Sequence, residues 1–136
     1  MAEQIDLEIA TPERLLVKEQ VSEVQIPGKE GYLGILPGHA PLLGLLGTGT
    51  LSYAAGGRKR FLSIHGGFVE VLPGQVRVLA NIAERGEEIN IERARQDLQT
   101  AHEQVMNPAL GVDPAAALDS LAAAQARIEA AENEKK

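Results

Sequence analysis

The sequence predicts an α+β fold: an N-terminal antiparallel β-sandwich followed by a C-terminal antiparallel two-helix hairpin. Three observations carry this. Twelve of the 14 glycines fall in residues 1–83, many in turn-forming pairs that punctuate short aliphatic runs every 8 to 12 residues or so. From Ile91 onward the apolar residues recur at steps of three and four, the spacing of one helix face. Charge and alanine change at the same place: residues 1–83 carry 7 basic and 8 acidic groups, residues 84–136 carry 6 and 11, and alanine is dense after Thr100. The boundary lies near Ala83–Gly86, giving a sandwich over 1–85 and a hairpin over 86–136.

The strands follow in chain order. Ile5, Leu7 and Ile9 alternate with acidic residues, and Val76, Val78 and Ala80 recur at every second position, the period of a half-buried strand. Between them lie the runs 21–26, 42–46, 50–53, 60–64 and 68–72. Pro27-Gly28, Pro37-Gly38, Gly47, Gly56-Gly57, Gly66-Gly67 and Pro73-Gly74 separate the strands and read as turns. No helical segment alternates with the strands, so βαβ units are excluded.

The first helix begins at Ile91 with Asn90 as its N-cap and a stripe of Ile91, Ala94, Leu98, Ala101 and Val105. Asn107-Pro108 breaks it. Asp113 then caps a second helix with Pro114 at its first position, running to about Asn133, with a stripe of Ala117, Leu118, Leu121, Ala124, Ile128 and Ala131. Small residues on both stripes allow close approach, and they bury little apolar area, so the hairpin is expected to dock weakly enough to move.

Composition excludes several functions. With no cysteine, disulfides, thiolate metal sites and cysteine nucleophiles are absent. Only four aromatics (Tyr32, Tyr53, Phe61, Phe68) occur, too few for a base- or sugar-stacking platform. A net charge of −6 argues against nucleic acid as partner. The N-terminal stretch has no basic region followed by an apolar run, so no signal peptide is expected, and no stretch is apolar enough to span a membrane. Gly28-Lys29-Glu30-Gly31 lacks the GxxxxGK[ST] pattern of a phosphate loop and reads as a glycine-flanked hairpin. His39, His65 and His102 lie in separate segments, which predicts no metal site, and the serines lack a nucleophile elbow. No catalytic residues are expected. Residue types alone lead to an interaction module with a mobile acidic arm.

The run Gly31-Tyr32-Leu33-Gly34-Ile35-Leu36-Pro37-Gly38-His39-Ala40-Pro41-Leu42-Leu43, followed by Gly66-Gly67-Phe68-Val69-Glu70-Val71 and residues 76–80, closely resembles the epsilon subunits of bacterial F-type ATP synthases. The resemblance spans essentially the whole chain. It implies a ten-stranded sandwich bearing two helices, and a non-catalytic rotor subunit of the central stalk, coupling ion translocation to ATP synthesis. The implied partners are the gamma subunit and the c-ring, with the alpha and beta subunits reached through the hairpin. The implied location is peripheral, on the cytoplasmic face of the bacterial plasma membrane, reached only through the c-ring. By position, c-ring contact falls to Gly28, Glu30, Gly31 and Tyr32, and gamma contact to Thr11, His39, Pro41, Leu42 and Gly44.

Some members of that family bind ATP through an Ile/Leu-Asp-x-x-Arg-Ala motif and arginines of the second helix. The matching residues here are Ile89, Asn90, Arg93 and Ala94, with Arg127. Asn90 stands where the motif has Asp and the second helix offers a single arginine, so weak or absent ATP binding is expected and no cofactor is assigned. A nucleotide-sensing regulator and a free-standing sandwich module are the alternative readings; the first requires measurable ATP affinity, the second a pocket or aromatic platform.

Overall fold

The computed structural model describes residues 3–136; Met1 and Ala2, at the start of the expected sandwich, lie outside the described residues. Seven strands form one continuous sheet: β1 (Ile5–Ala10), β2 (Leu15–Val21), β3 (Glu23–Gly28), β4 (Gly31–Ile35), β5 (Leu42–Ala55), β6 (Arg58–Leu72) and β7 (Gln75–Arg85), in the order β2-β1-β7-β6-β5-β3-β4. A short 3-10 turn, Gly86–Glu88, leads to α1 (Ile91–Met106) and α2 (Pro114–Glu134).

Seven strands stand where the resemblance implies ten because β5, β6 and β7 each serve two layers. Pairing along them lapses at one level, between Leu46 and Thr48 on β5, His65 and Gly67 on β6, and Ile82 and Ala80 on β7. There the core-facing set shifts by one residue. On β6 it passes from Leu62 and Ile64 to Val69 and Val71; on β5 from Leu46 to Leu51 and Tyr53; on β7 from Ala80 to Ala83. Cross-strand register is the same on both sides of the gap, so the three strands bend together and re-aim their side chains. One half of the long strands continues into β1 and β2, and the other half continues through β5 into β3 and β4. Counting each half separately restores ten. Gly47 and Gly66-Gly67, which the sequence presents as turns, are therefore bends inside strands. The run 21–26 straddles the end of β2 and the start of β3.

The sandwich is not wholly antiparallel: β1 runs parallel to β7, with Leu7 opposite Val76 and Ile9 opposite Val78. Alternation reports which face a residue takes, not the direction of its neighbour, and the rest of the sandwich separates these two strands. Between the layers, Ile5, Leu7, Ile9, Val24, Ile26, Leu51, Leu62, Ile64, Val69 and Val78 are almost fully buried in one aliphatic core.

Both helices form where the capping residues place them. Asn90 Oδ1 accepts from Arg93 N at 3.1 Å, and Asp113 Oδ2 accepts from Ala116 N at 3.1 Å. The two helices pack together, and α2 also lies on β5 and β6, so it is sandwiched between α1 and the sheet. This arrangement explains its alanines. Ala131 packs with Ala94 of α1, while Ala126 presents its carbonyl to the Thr50 hydroxyl of β5 at 3.3 Å. Leu118, placed on the buried stripe by its spacing, is instead 54% exposed, because alanine faces and not leucines make both contacts.

One gap in the β3–β5 ladder draws in a side chain. The register slips between Gln25 and Gly28, and the Thr50 N–H donates to the Tyr32 hydroxyl at 3.1 Å. Gly49 makes room, since a Cβ there falls 2.6 Å from that hydroxyl.

Two outcomes follow from this geometry. Gly67 adopts φ +117° and a Cβ on it falls 2.2 Å from the Leu79 carbonyl oxygen, so Gly67→Ala is expected to cost about 3 kcal/mol or more in urea unfolding. Tyr32→Phe removes the acceptor from a buried amide while keeping the ring, and a loss of about 1–2 kcal/mol is expected in the same measurement.

Candidate functional site

The halves of β5, β6 and β7 on either side of the bend present their outer faces to different neighbours. Over one half, α2 covers Thr50, Ser52 and Ser63, all buried. Over the other half none of the described residues covers the sheet. There the strand period of two turns Leu43 and Leu45 of β5 outward, 71% and 61% exposed, beside Phe68 and Leu72 of β6. Leu45, Phe68 and Leu79 stand opposite one another across three strands. The next row is Leu43, Glu70, Arg77 and Glu8, in which Arg77 Nε lies 3.8 Å from Glu8 and its Nη1 4.0 Å from Glu70. A ribbon of charge thus runs beside the aliphatic side chains. A contiguous exposed aliphatic face with a polar border is the kind of surface that another protein covers.

The sequence places gamma contact at Thr11, His39, Pro41, Leu42 and Gly44. Pro41 directly precedes β5 and is exposed. Leu42 packs against the core and Gly44 has the same parity, opposite buried Val69, so neither directs a side chain outward. Leu43 and Leu45 are the outward side chains of that strand, and Phe68, Glu70 and Leu72 share the same outer face on β6. His39 N donates to the Leu36 carbonyl at 3.2 Å, closing a turn with Gly38 at φ +84°, and its Nδ1 lies 2.6 Å from the Ala40 carbonyl. That imidazole is held by backbone. Thr11 closes the β1–β2 turn, with Oγ1 accepting from Arg14 N at 3.3 Å.

The four residues expected to face the ring, Gly28, Glu30, Gly31 and Tyr32, come together at one rim. Gly28 pairs with Gly31, so Lys29 and Glu30 form a two-residue hairpin turn, and Gly31 at φ +135° adopts a conformation reserved for glycine. Glu30 is exposed at the tip. Tyr32 exposes its ring but spends its hydroxyl inward on Thr50. Leu42, Gly44 and Leu45 line the same shallow depression as this hairpin, which makes the rim continuous with the aliphatic face.

The nucleotide-motif residues divide differently. Ile89 and Ala94 are buried with Ala130 and Ala131, where they hold the hairpin together. Asn90 is the helix cap. Arg93 Nε donates to Asp97 at 3.2 Å; Arg127 donates to Glu84 at 2.7 Å and to the other oxygen of Asp97 at 3.3 Å. Asp97 therefore joins the two arginines, and both guanidinium groups already face carboxylates. Among the described residues no group of three His, Asp or Glu side chains is placed to hold a metal ion.

The start of the hairpin is fixed by charge. Arg14 forms a two-pronged ion pair with Glu88, whose carboxyl is held below its usual range chiefly by that hydrogen bond, and Glu88 also accepts from the Arg85 amide at 3.0 Å.

Comparison with known proteins agrees with this architecture. The family described as ATP synthase, Delta/Epsilon chain, beta-sandwich domain, matches residues 4–86. The chain is 60% identical to the ATP synthase epsilon chain of Solibacter usitatus, over 97% of this chain and 98% of that one. It is 48% identical to that of Koribacter versatilis, over 77% and 74% of the two chains. Among solved structures it matches a chain of the Euglena gracilis mitochondrial ATP synthase, OSCP/F1/c-ring in rotational state 1, with a TM-score of 0.75 and 29% identity over 98% of this chain and 82% of that one. By its sandwich, its docked helical pair and its identity over nearly the full length of a relative, the chain belongs to the ATP synthase epsilon chains, the non-catalytic central-stalk subunits of the F-type ATP synthase.

Proposed function

We propose that the uncovered sheet face binds the gamma subunit and the Gly28–Tyr32 rim meets the polar loops of the c-ring, so that the sandwich passes torque between them. The observation that carries this reading is the aliphatic face of Leu43, Leu45, Phe68 and Leu72, continuous with an exposed polar hairpin. An aliphatic face on a two-layer core resists shear, which a torque-bearing contact requires, whereas a two-residue turn with one carboxylate suits a polar rim. No helix among the described residues is long and apolar enough to cross a membrane, so membrane association goes through the ring. That ring would hold the chain peripherally on the cytoplasmic face of the bacterial plasma membrane.

The helical hairpin is the regulatory part of this proposal. In the docked state its cations are occupied: Arg127 by Glu84 and Asp97, Arg93 by Asp97. A triphosphate would have to displace carboxylates from both guanidinium groups, in a segment of net charge −5. This favours a stalk subunit over a nucleotide sensor.

The interface is tested by affinity for the gamma subunit. Truncating Leu45 and Phe68 together to alanine is expected to weaken binding about 100-fold, at about 1.4 kcal/mol for each side chain. Deleting residues 87–136 is expected to leave binding unchanged, and a truncated chain that no longer binds gamma would move the interface to the hairpin. For the rim, a cysteine at position 30 in this otherwise cysteine-free chain is expected to cross-link to the c-ring loop in assembled enzyme. Calorimetric titration of the full chain with ATP is expected to give no saturable binding at micromolar concentration; a micromolar Kd would restore the sensor reading.

A further inference from the structure

The last turn of α2 carries a carboxylate that the functional reading does not use. Glu134 is only 7% exposed at its side chain, although it lies at the end of a helix that faces solvent along much of its length. Its Oε1 accepts from the Phe61 N–H of β6 at 2.8 Å and from Arg60 Nε at 3.1 Å. Arg60 in turn reaches Glu87 of the 3-10 turn at 3.1 Å. Hydrogen bonding to Glu134 is the largest influence raising the Arg60 pKa above its ordinary value. The approach is close by design of the backbone: a Cβ on Gly86 would lie 2.5 Å from the Ala130 carbonyl oxygen and 2.4 Å from Glu134 Cγ.

From this geometry we infer that Glu134 is the clasp that fastens the hairpin to the sandwich, and that it sets the docking equilibrium more than the alanine contacts do. The physical case rests on what each state offers the same groups. With the helix released, water solvates the Phe61 amide, the Arg60 guanidinium and the carboxylate. With the helix docked but the carboxylate removed, the Phe61 amide loses its acceptor beneath α2 and the Arg60 guanidinium is left with Glu87. The cost of removing Glu134 therefore falls on the docked state alone. The other polar links between α2 and the sheet are weaker fastenings. His65 lies 3.0 Å from Asp119, but that carboxylate is 57% exposed, and the Thr50 to Ala126 bond is a single neutral one at 3.3 Å. Arg127 with Glu84 is the nearest rival; its guanidinium is as shielded as that of Arg60, but the Glu84 carboxylate is 30% exposed against 7% for Glu134.

The inference concerns docking in the free chain and holds whether or not the hairpin regulates the motor. Ala126→Cys puts a thiol at a buried position on the sheet-facing side of α2 in a chain with no other cysteine, so its rate of reaction with a maleimide reads the fraction released. Adding Glu134→Ala is expected to accelerate labelling about tenfold or more, and Glu134→Gln, which keeps an acceptor for the amide, by less. Glu129→Ala, at an exposed position of the same helix, is expected to leave the rate unchanged. Circular dichroism of each variant verifies that the sandwich is intact; where Glu134→Ala fails to fold, the Gln variant supplies the reading. Equal rates in the Glu134 and parent chains, or equal acceleration by Glu129→Ala, would overturn the inference. Gamma binding by the same variants is expected to be unchanged, which separates failure of the clasp from failure of the proposed interface.

Discussion

The level at which β5, β6 and β7 together shift their core-facing residues by one position, while keeping cross-strand register, is the constraint on which the rest of the molecule depends. Without it, three strands of 14, 15 and 11 residues would make a single long sheet with one buried face. With it, the chain folds back into two layers, and the aliphatic residues of each strand change parity so as to keep facing inward. Gly66 and Gly67, both at positive φ, hold the bend on the central strand, and the tight approach of Gly67 to Leu79 leaves no room for any side chain. Mechanical stiffness follows, because a torque applied to one layer reaches the other through continuous strands and not through loops.

The same bend decides which outer surface is left for a partner. On one side of it the outward residues include small, polar Thr50, Ser52 and Ser63, over which a helix of alanines lies close, with Phe61 packed against Ala130 and Ala131 and His65 reaching Asp119. On the other side they are Leu43, Leu45, Phe68 and Leu72, whose size would hold a helix at a distance. α2 therefore docks on the first half alone. Small side chains contribute to the division: alanine against threonine allows the helix backbone to reach the sheet, as the Thr50 to Ala126 bond shows.

Much of this was legible in the sequence, and the parts that were not share a cause. Element type was legible because alternation at Ile5, Leu7 and Ile9, steps of three and four from Ile91, and the caps at Asn90 and Asp113 are local signals. The parallel pairing of β1 with β7 was not, since nothing in a strand's own residues reports its neighbour's direction. That Leu42 packs inward while Leu43 and Leu45 face outward was not legible either, because a position read without its strand parity does not say which way its side chain points, and parity shifts along that strand. Tyr32 shows the same limit. Its exposure on a rim was readable, whereas the claim on its hydroxyl by Thr50 arises from a register slip far along the chain. Leu118 was misplaced because one apolar stripe was assumed for a helix that has two alanine faces.

Charge on the hairpin depends on where the hairpin lies. Docked, α2 gives Arg127 to Glu84 and Asp97, Glu134 to Arg60, and Asp119 to His65. Release removes Glu84, Arg60 and His65 from these partnerships, since all three stay with the sandwich. What the helix then presents is Asp119, Glu129, Glu132 and Glu134 against Arg127 and two lysines at its end, with Asp97 travelling alongside on α1. An acidic surface elsewhere in the motor would repel such an arm at low salt and be screened at high salt. Any hold that a released hairpin has on the motor must therefore be apolar, through Leu118, Leu121 and Ile128. Of these Leu118 is already exposed in the docked state, so it is the residue able to make first contact without the clasp having opened.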